Sequence, residues 1–458
     1  MSLGSSLSIA VQAMLADQGA LAVTSNNIAN VNTPGYTREV ANLEEAPPSQ
    51  FGNLSYGGGV ELSSIQSVRN NILQLRLNQE TQNQGKLNTF TDGMNQIQTV
   101  FNEDAGTGLQ SLLSNFFNSF QTLSSDPTNS GDRQAVIGAA QSLAAGFQQT
   151  AATLVQQQQN ADQGVTQTVQ QINQLTAQIA NLNQQISTTS GAGLNSNSFE
   201  DQRDQLINQL SGLIDVQTIP ANGNTVTLTT SGGAQLVVGN QSFNLQTATN
   251  PSTSFQDVYA QGTDITSTIQ GGTLAGDIQL RDQEIPAIQN NLDTLAYNIE
   301  TAVNTQNAAG YDLNGNPGGD IFQAPSGVSG AALNMTVSIT DPNLIAASGD
   351  GTPGDNSNAT ALANLQSQNI VNGQNPISYY SGIVSQVGND AETASTQLTG
   401  ENLLIQQLND QINSVSGVSL NEEGANLIQY QNAYTAASRV ANVVDTLYQA
   451  AIAMVPST

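Results

Sequence analysis

The strongest constraint on the fold is a seven-residue repeat of apolar side chains near the N-terminus. Its members are Leu7, Met14, Leu21 and Ile28. Such a repeat forms a narrow seam along one face of a helix, which is typical of a helix that packs against another helix. Pro34 disfavours helical geometry at Thr33, so this helix is predicted to end near Asn32. Thr33-Pro34-Gly35-Tyr36 fits a type II turn, with proline at the second position and glycine at the third.

A second apolar seam runs through residues 424–458, with spacings that alternate between three and four. Its members are Leu427, Tyr430, Tyr434, Ala437, Ala441, Val444, Tyr448 and Ala451. A helix of about 30 residues is about 45 Å long, and in isolation it buries no apolar surface and is marginally stable. We therefore predict that the two terminal helices pack against each other in antiparallel fashion.

The two terminal segments carry almost no charge. Residues 1–37 contain one charged side chain, Asp17, and residues 424–458 contain two, Arg439 and Asp445. Antiparallel packing predicts an ion pair between Asp17 and Arg439. Two explanations of the low charge remain open: a neutral surface in a chain that is charge-poor everywhere, or outer faces that are buried against neighbouring subunits.

The overall composition restricts the function. The chain has 458 residues, a net charge of −27, and neither cysteine nor histidine. We expect no nucleic-acid partner, because an acidic protein repels phosphate, and no catalysis through cysteine or histidine. The absence of an apolar run of 18 residues predicts no membrane insertion, and the N-terminus lacks the basic segment of a Sec-type signal peptide.

No segment predicts a catalytic, cofactor or metal site. The start of a calcium-binding loop is suggested by Asp312, Asn314 and Asn316, but Pro317 and Gln323 stand where the loop requires glycine and glutamate. We therefore predict that the protein is not an enzyme and has no cofactor.

The rest of the chain predicts a mainly α fold with a smaller β domain inserted in its middle. A coiled-coil-like seam recurs in a glutamine-rich stretch, at Val165, Ile172, Ile179 and Ile186. Residues 216–275 alternate apolar and polar side chains, which favours strands. We also expect short strands in 307–350. The predicted domains are a terminal coiled coil (1–38 and 424–458), a helical bundle (39–215, 276–306 and 351–423) and an outer β-rich domain (216–275 and 307–350).

Four stretches resemble a known family. The sequence SNNIANVNTPGYTR at 25–38 and the sequence LNEEGANLIQYQNAY at 420–434 resemble the terminal signatures of the axial proteins of the bacterial flagellum, which are the rod, hook and hook-associated proteins. The segments GGTLAGDI at 271–278 and NAAGYDLNGNPGGDIF at 307–322 resemble the middle of a hook-associated member.

The resemblance implies a structural protein of the hook–filament junction. It implies that the terminal helices form an inner tube by self-assembly into a ring or tubular layer, with contacts to the hook protein and to the third hook-associated protein. It further implies secretion by the flagellar type III route to the extracellular flagellum, and binding of the export chaperone FlgN to the C-terminal region before export.

The asparagines at the end of the first helix have two readings. Asn26, Asn27 and Asn30 are poor helix formers, and their amides both donate and accept hydrogen bonds. Such groups suit hydrogen bonds between identical subunits at buried positions, where charge is costly. The alternative is local turn chemistry at the end of the helix.

A second class of function also stays open. The outer β-rich domain suits a secreted adhesin or a carbohydrate-active protein. Deletion of residues 216–275 separates the two classes, because a junction protein retains assembly without an accessory domain.

Overall fold

The computed structural model describes residues 3–51, 54–102 and 108–454, and it confirms a mainly helical chain with a smaller β-rich insertion. The helices are α1 (Leu3–Ala29), α2 (Asn71–Val100), α3 (Leu109–Ser125), α4 (Ser130–Gly191), α5 (Asn197–Leu213), α6 (Gly272–Gln279), α7 (Ile285–Ala308), α8 (Ala331–Asn334), α9 (Ser357–Asn364), α10 (Pro376–Ser416) and α11 (Leu420–Ala453). A π-helical turn, Leu280–Glu284, joins α6 to α7.

In the described part of the chain, the strands form four small antiparallel sheets. The strands are β1 (Glu39–Glu45), β2 (Ser49–Phe51), β3 (Leu54–Tyr56), β4 (Val60–Ser67), β5 (Gln217–Pro220), β6 (Val226–Thr229), β7 (Gln235–Val238), β8 (Gln241–Ser242), β9 (Leu245–Thr249), β10 (Gln256–Ala260) and β11 (Thr263–Asp264). β1 pairs with β4 and β2 with β3, while β5 to β8 form a four-stranded sheet and β9 to β11 a three-stranded one.

Local sequence explains where the long helices begin. The side chain of Asn70 accepts hydrogen bonds from the first free amides of α2, and Asn129 does the same for α4. Asn375 caps α10, whose first residue is a proline, and Ser419 caps α11. Short polar side chains at this position satisfy backbone donors that have no partner within the helix.

A helical body encloses the larger hydrophobic core. The core lies between α3, the first half of α4, α7, α9 and α10. Phe116 contacts Phe117, Phe120 and Phe322, with ring centroids between 5.2 and 5.5 Å apart. All four rings are fully buried, so this aromatic cluster anchors the body.

A second core joins the far half of α4 to the β-rich insertion. Val165, Ile172 and Ile179 are fully buried there against strand residues such as Leu228 and Val258. The coiled-coil-like seam predicted in this stretch therefore packs against strands of the insertion and against helices α5 and α6. α4 has 62 residues, roughly 93 Å at 1.5 Å per residue, and it belongs to both cores.

The prediction that residues 307–350 complete the β-rich domain is wrong. Phe322, Met335 and Ile345 are buried in the helical body, and only isolated β-bridges, such as Phe322 with Val337, occur in this stretch. A strand was expected at residues 333–337, but residues 333 and 334 belong to the short helix α8. The apolar side chains of this segment fill gaps between helices, so their spacing follows the helix surfaces and not a sheet.

The helical region also begins later than expected. The sequence predicts irregular or extended chain over residues 39–60 and helix from about residue 61. The structure has strand β4 at Val60–Ser67, paired with β1, and the next helix begins only at Asn71. Beyond these corrections, the division into three domains stays a prediction.

The two terminal helices pack against each other, and α1 also packs on the β1–β4 hairpin. The backbone amide of Arg38 donates to the carbonyl of Ser416 at 2.9 Å, which brings the end of α1 close to the start of α11. The helices therefore run antiparallel, as the two seams predicted.

Among the described residues, α1 alone has the length and hydropathy of a candidate membrane span, with a mean hydropathy of 1.3 over 18 residues. Core helices and N-terminal signal sequences meet the same criterion. Because α1 packs on α11 and on the hairpin, a core helix accounts for its composition, and the absence of membrane insertion stays a prediction.

Candidate assembly interface

The terminal helix pair places the predicted interface residues at three degrees of exposure. Two of these residues, Asn27 and Val444, are buried, and three are exposed, Asn26, Tyr434 and Ala451. The others are half-buried: Leu7, Met14, Leu21, Ile28, Asn30, Leu427, Tyr430, Ala437, Ala441 and Tyr448. Half-burial of the seams is what a single partner helix provides. That these residues also contact other subunits stays a prediction.

A second face of α1 packs more tightly than the predicted seam. Ala16, Ala20 and Val23 are buried, with at most 6% of their surface exposed. Between them, a Cβ at Gly19 would lie 2.6 Å from the Leu62 side chain of β4. This face of α1 therefore packs on the β1–β4 hairpin. It was not predicted from the sequence because most of its residues are small.

The outer face of α11 carries an exposed apolar stripe. We call the set Val440, Val443, Leu447 and Met454 the outer stripe; its members are between 49% and 80% exposed. Their spacings of three, four and seven put them on one side of the helix. On α1, Leu15 is 62% exposed, so apolar surface faces outward on both helices of the pair.

The predicted ion pair between Asp17 and Arg439 is absent from the salt bridges of the described chain. Asp17 is 7% exposed, and burial raises the pKa of its carboxyl. Arg439 is exposed. It lies two residues from both Ala437 and Ala441, and a step of two residues rotates about 200° around a helix. Its side chain therefore points away from the seam.

Asn27 joins the end of α1 to the first strand within one chain. Its Oδ1 accepts from the Glu39 amide at 2.9 Å and from the Tyr36 hydroxyl at 2.8 Å, while its Nδ2 donates to the Glu39 carbonyl at 2.8 Å. The pKa of Tyr36 is raised by burial first, and then by nearby carboxylates including Glu39. These bonds support the local reading of this asparagine.

Asn26 and Asn30 also bond locally. Asn30 donates to the Asn26 carbonyl and side chain at 3.0 Å, and Thr33 donates to Asn30 at 3.1 Å. Tyr36 donates from its amide to the Thr33 carbonyl at 3.2 Å, and Gly35 has a φ of 74°. The type II turn expected from the Thr-Pro-Gly-Tyr sequence is therefore present.

An ion pair and a buried carboxyl hold the base of the helix pair. Arg38 Nη1 lies 2.9 Å from Glu422 Oε2, in the first turn of α11. The neighbouring Glu423 is 3% exposed. Both glutamates lie in the first turn of α11, where carboxylates interact favourably with the positive end of the helix dipole.

A second arginine connects this base to the helical body. Arg69 donates to Asp201 and to Asp204, both at 2.8 Å, and Asp201 accepts from the Thr37 amide at 3.1 Å. Burial raises the pKa of Asp201, while the Thr37 and Arg69 contacts oppose that rise. These groups line a cavity of about 570 Å³ between the base of the pair and α5.

Sequence reasoning missed these ionic contacts. Arg38 and Glu422 are 384 positions apart, and Arg69 and Asp201 are 132 apart. The sequence indicates only that ion pairs should form, because the chain has eight basic residues and 35 acidic ones. It does not indicate which acidic residue each basic residue contacts. Pairing them requires the fold.

Comparisons with known proteins agree with this architecture. Residues 94–322 match the family described as flagellar hook-associated protein FlgK helical domain. Residues 7–37 match the flagella basal body rod protein family, and residues 411–454 match the flagellar basal body rod FlgEFG protein C-terminal family. The two rod-family matches lie on the helix pair, which defines the chain as a flagellar axial protein.

Individual relatives narrow the assignment. Flagellar hook-associated protein 1 of Bacillus subtilis is 31% identical over 96% of both chains. The protein of that name from Salmonella typhimurium is 29% identical over 96% of this chain and 98% of its own. The flagellar hook junction protein FlgK from Burkholderia pseudomallei has the same fold, with a TM-score of 0.68, 20% identity and coverage of 74% of this chain and 100% of that one.

The chain belongs to the flagellar hook-associated protein 1 family, FlgK. It is a structural component of the bacterial flagellum. The predicted family and structural role are thereby confirmed, and the alternative of an adhesin or carbohydrate-active protein has no support in these relatives.

Proposed function

We propose that copies of this chain associate side by side through the outer faces of the α1–α11 pair and so form a layer of the hook–filament junction. The outer stripe of α11 carries this proposal. Four apolar side chains about half or more exposed, on a helix that has one cation and one anion beyond its first turn, suit burial against another protein surface.

The proposed neighbours follow the order of the axial structure. One end of the layer contacts the hook protein, and the other contacts the third hook-associated protein. Before secretion through the flagellar type III route to the cell exterior, a chaperone of the FlgN kind covers the C-terminal region. The exposed apolar stripe supports this last step, because such a surface aggregates when it is left uncovered. In this role the protein has no catalytic function.

The outer stripe is tested by a double variant, Val440→Ser with Leu447→Ser, in a flagellated strain that lacks its own copy of the gene. We expect the variant to be secreted but not incorporated at the hook tip, so that filaments are lost and cells do not swim. Leu403→Ser is the matched control, because Leu403 is 63% exposed on α10, outside the terminal pair.

Limited proteolysis provides a second measurement. We expect both termini of the free protein to be cleaved, and both to be protected in isolated hook–junction particles. Normal incorporation of the double variant, or termini that stay equally accessible in the particle, would refute the proposed interface.

A further inference from the structure

Glu300, in the middle of α7, is a buried carboxyl group without a partner. Its residue is 1% exposed, and its Oε2 has no hydrogen-bond partner. Burial alone raises the pKa of this group to about 8. A buried acidic group with no donor is costly to a fold, so its presence calls for a role.

The neighbouring polar residues of α7 have such roles, and Glu300 does not. Asp293 accepts from the amides of Gly330 and Ala332 at 2.7 and 2.9 Å. Asn304 donates to the Phe322 carbonyl at 2.8 Å and accepts from its amide at 3.0 Å. Spacings of seven and four place all three side chains on one face of the helix. Two of them hold the chain that follows α7, and Glu300 is one of the residues in the wall of a cavity beside that chain.

That cavity has a volume of about 430 Å³ and is polar on most sides. Besides Glu300, its lining includes Gln148, Gln323, Ser326, Asn334 and Thr336. Its walls are fixed by hydrogen bonds: Gln148 donates to the Met335 carbonyl at 2.8 Å, and Thr336 donates to Gln323 at 3.0 Å. Gln323 and Ser326 are exposed, so the cavity is open to solvent.

The only charge that the lining of this cavity can carry is negative. Glu300 is the only ionisable side chain among the lining residues. Asp293 is the other charged group that holds the wall, and both of its oxygens accept backbone hydrogen bonds. A single buried carboxyl surrounded by neutral donors and acceptors matches a ligand with one positive charge and several N–H groups.

We propose that this cavity binds an ammonium or guanidinium group, with Glu300 as its ionic partner. The group is supplied either by a basic side chain of a neighbouring protein or by a free organic cation. The proposal does not depend on the terminal interface.

Calorimetric titration of the full-length protein with methylguanidinium tests the site, and N-methylurea serves as the neutral isostere. We expect methylguanidinium to bind and N-methylurea not to. Affinity should rise about tenfold between pH 6 and 7, because the ionised fraction of the carboxyl rises tenfold per unit below its pKa, and it should level off above pH 8. Each binding event at pH 7 should release close to one proton, measured in buffers of different ionisation enthalpy.

Two variants separate the charge from the fold. Glu300→Gln should lower the affinity at least tenfold and abolish both the pH dependence and the proton release, while its circular dichroism stays unchanged. Glu392→Gln, on an exposed glutamate of α10, should bind like the parent protein. Equal binding by Glu300→Gln, binding of N-methylurea, or no binding of methylguanidinium at pH 8.5 would overturn the proposal.

A peptide identifies the source of the cation. Acetyl-Gly-Arg-Gly-amide that binds at least tenfold more tightly than methylguanidinium supports a protein side chain, whereas equal affinities support a free cation.

Discussion

Two long helices of this molecule, α4 and α11, carry apolar seams of similar regularity and differ in what covers them. On α4, Val165, Ile172, Ile179 and Ile186 are all fully buried by the same chain. On α11, Val444 is the one apolar residue that is buried, and a second apolar stripe faces outward. An amphipathic pattern therefore predicts that an apolar face of the helix is buried, but it does not predict whether the same chain or another protein covers that face. The excess of exposed apolar surface on α11 is the physical basis of the proposed assembly role.

The largest expected effect is a core substitution in α4. Phe147 is fully buried, so Phe147→Ala should lower the free energy of unfolding by about 3–5 kcal/mol, measured by urea denaturation. Leu447→Ala on α11 is the matched apolar truncation, and it should change the stability of the isolated protein by less than about 0.5 kcal/mol. Equal losses in the two variants would mean that α11 is already covered in the free chain.

A buried carboxyl next to α4 should make the stability of the protein depend on pH. Asp277 faces Gly164 of α4 and is 7% exposed, and burial raises its pKa from 3.8 to about 7 although Arg281 opposes the rise. The folded state therefore holds this proton more tightly than the unfolded state. Its contribution to stability is complete below about pH 4 and is lost as the pH rises through 7.

Asp277→Asn should keep that contribution at every pH. Relative to the parent protein, its free energy of unfolding should increase from pH 4 to 7 by on the order of a few kcal/mol and then stay constant. Asp92→Asn, on an exposed aspartate of α2, serves as the control. A difference between Asp277→Asn and the parent that does not change with pH would contradict the assigned protonation.

Within the terminal region, Asn27 should matter more than its neighbour Asn26. Asn27→Leu removes three hydrogen bonds at or below 2.9 Å and should cost about 2 kcal/mol, because polar groups of Tyr36 and Glu39 lose their partner. Asn26→Leu loses two 3.4 Å contacts and the 3.0 Å bond from the Asn30 side chain. All three are exposed, so water can take the place of Asn26 and the substitution should cost little. If Asn27→Leu retained full stability but failed to assemble, this result would support the alternative hypothesis that Asn27 forms hydrogen bonds between subunits.

The smallest effect is expected at the base of the pair. The Arg38–Glu422 salt bridge joins side chains that are 24% and 63% exposed, and pairs in such settings contribute about 0–1 kcal/mol. Glu422→Gln should therefore lower the thermal midpoint by about a degree or two, and 0.5 M salt should remove most of the difference. A larger loss would show that this contact, and not the apolar seam, holds α11 to the body.

The sequence predicted best those features that depend on spacing along the chain. The seven-residue repeat from Leu7 to Ile28 and the seam from Leu427 to Ala451 correctly predicted two antiparallel terminal helices. The Thr-Pro-Gly-Tyr turn also formed as expected, because proline and glycine restrict the backbone locally.

Features that depend on the shape of distant surfaces were not predictable. Residues 307–350 looked like strand because apolar residues alternate there, yet they fill the space between helices. The tight face of α1 against Leu62 was hidden because alanine and glycine carry no hydrophobic signal. The predicted ion pair between Asp17 and Arg439 was wrong for a further reason. The antiparallel register predicts that the two residues lie at the same height along the helix pair, but it does not predict that their side chains point toward each other.

The length of α4 has a mechanical consequence. Because one uninterrupted helix belongs to both hydrophobic cores, the insertion is not suspended from the body by a flexible tether. A sideways force on the β-rich insertion can tilt the insertion only if helix α4 bends. The helix transmits this force to the core of the helical body, which contains the aromatic cluster around Phe116. In an appendage that rotates, a strut of this kind limits how far the insertion can lag behind the helical body.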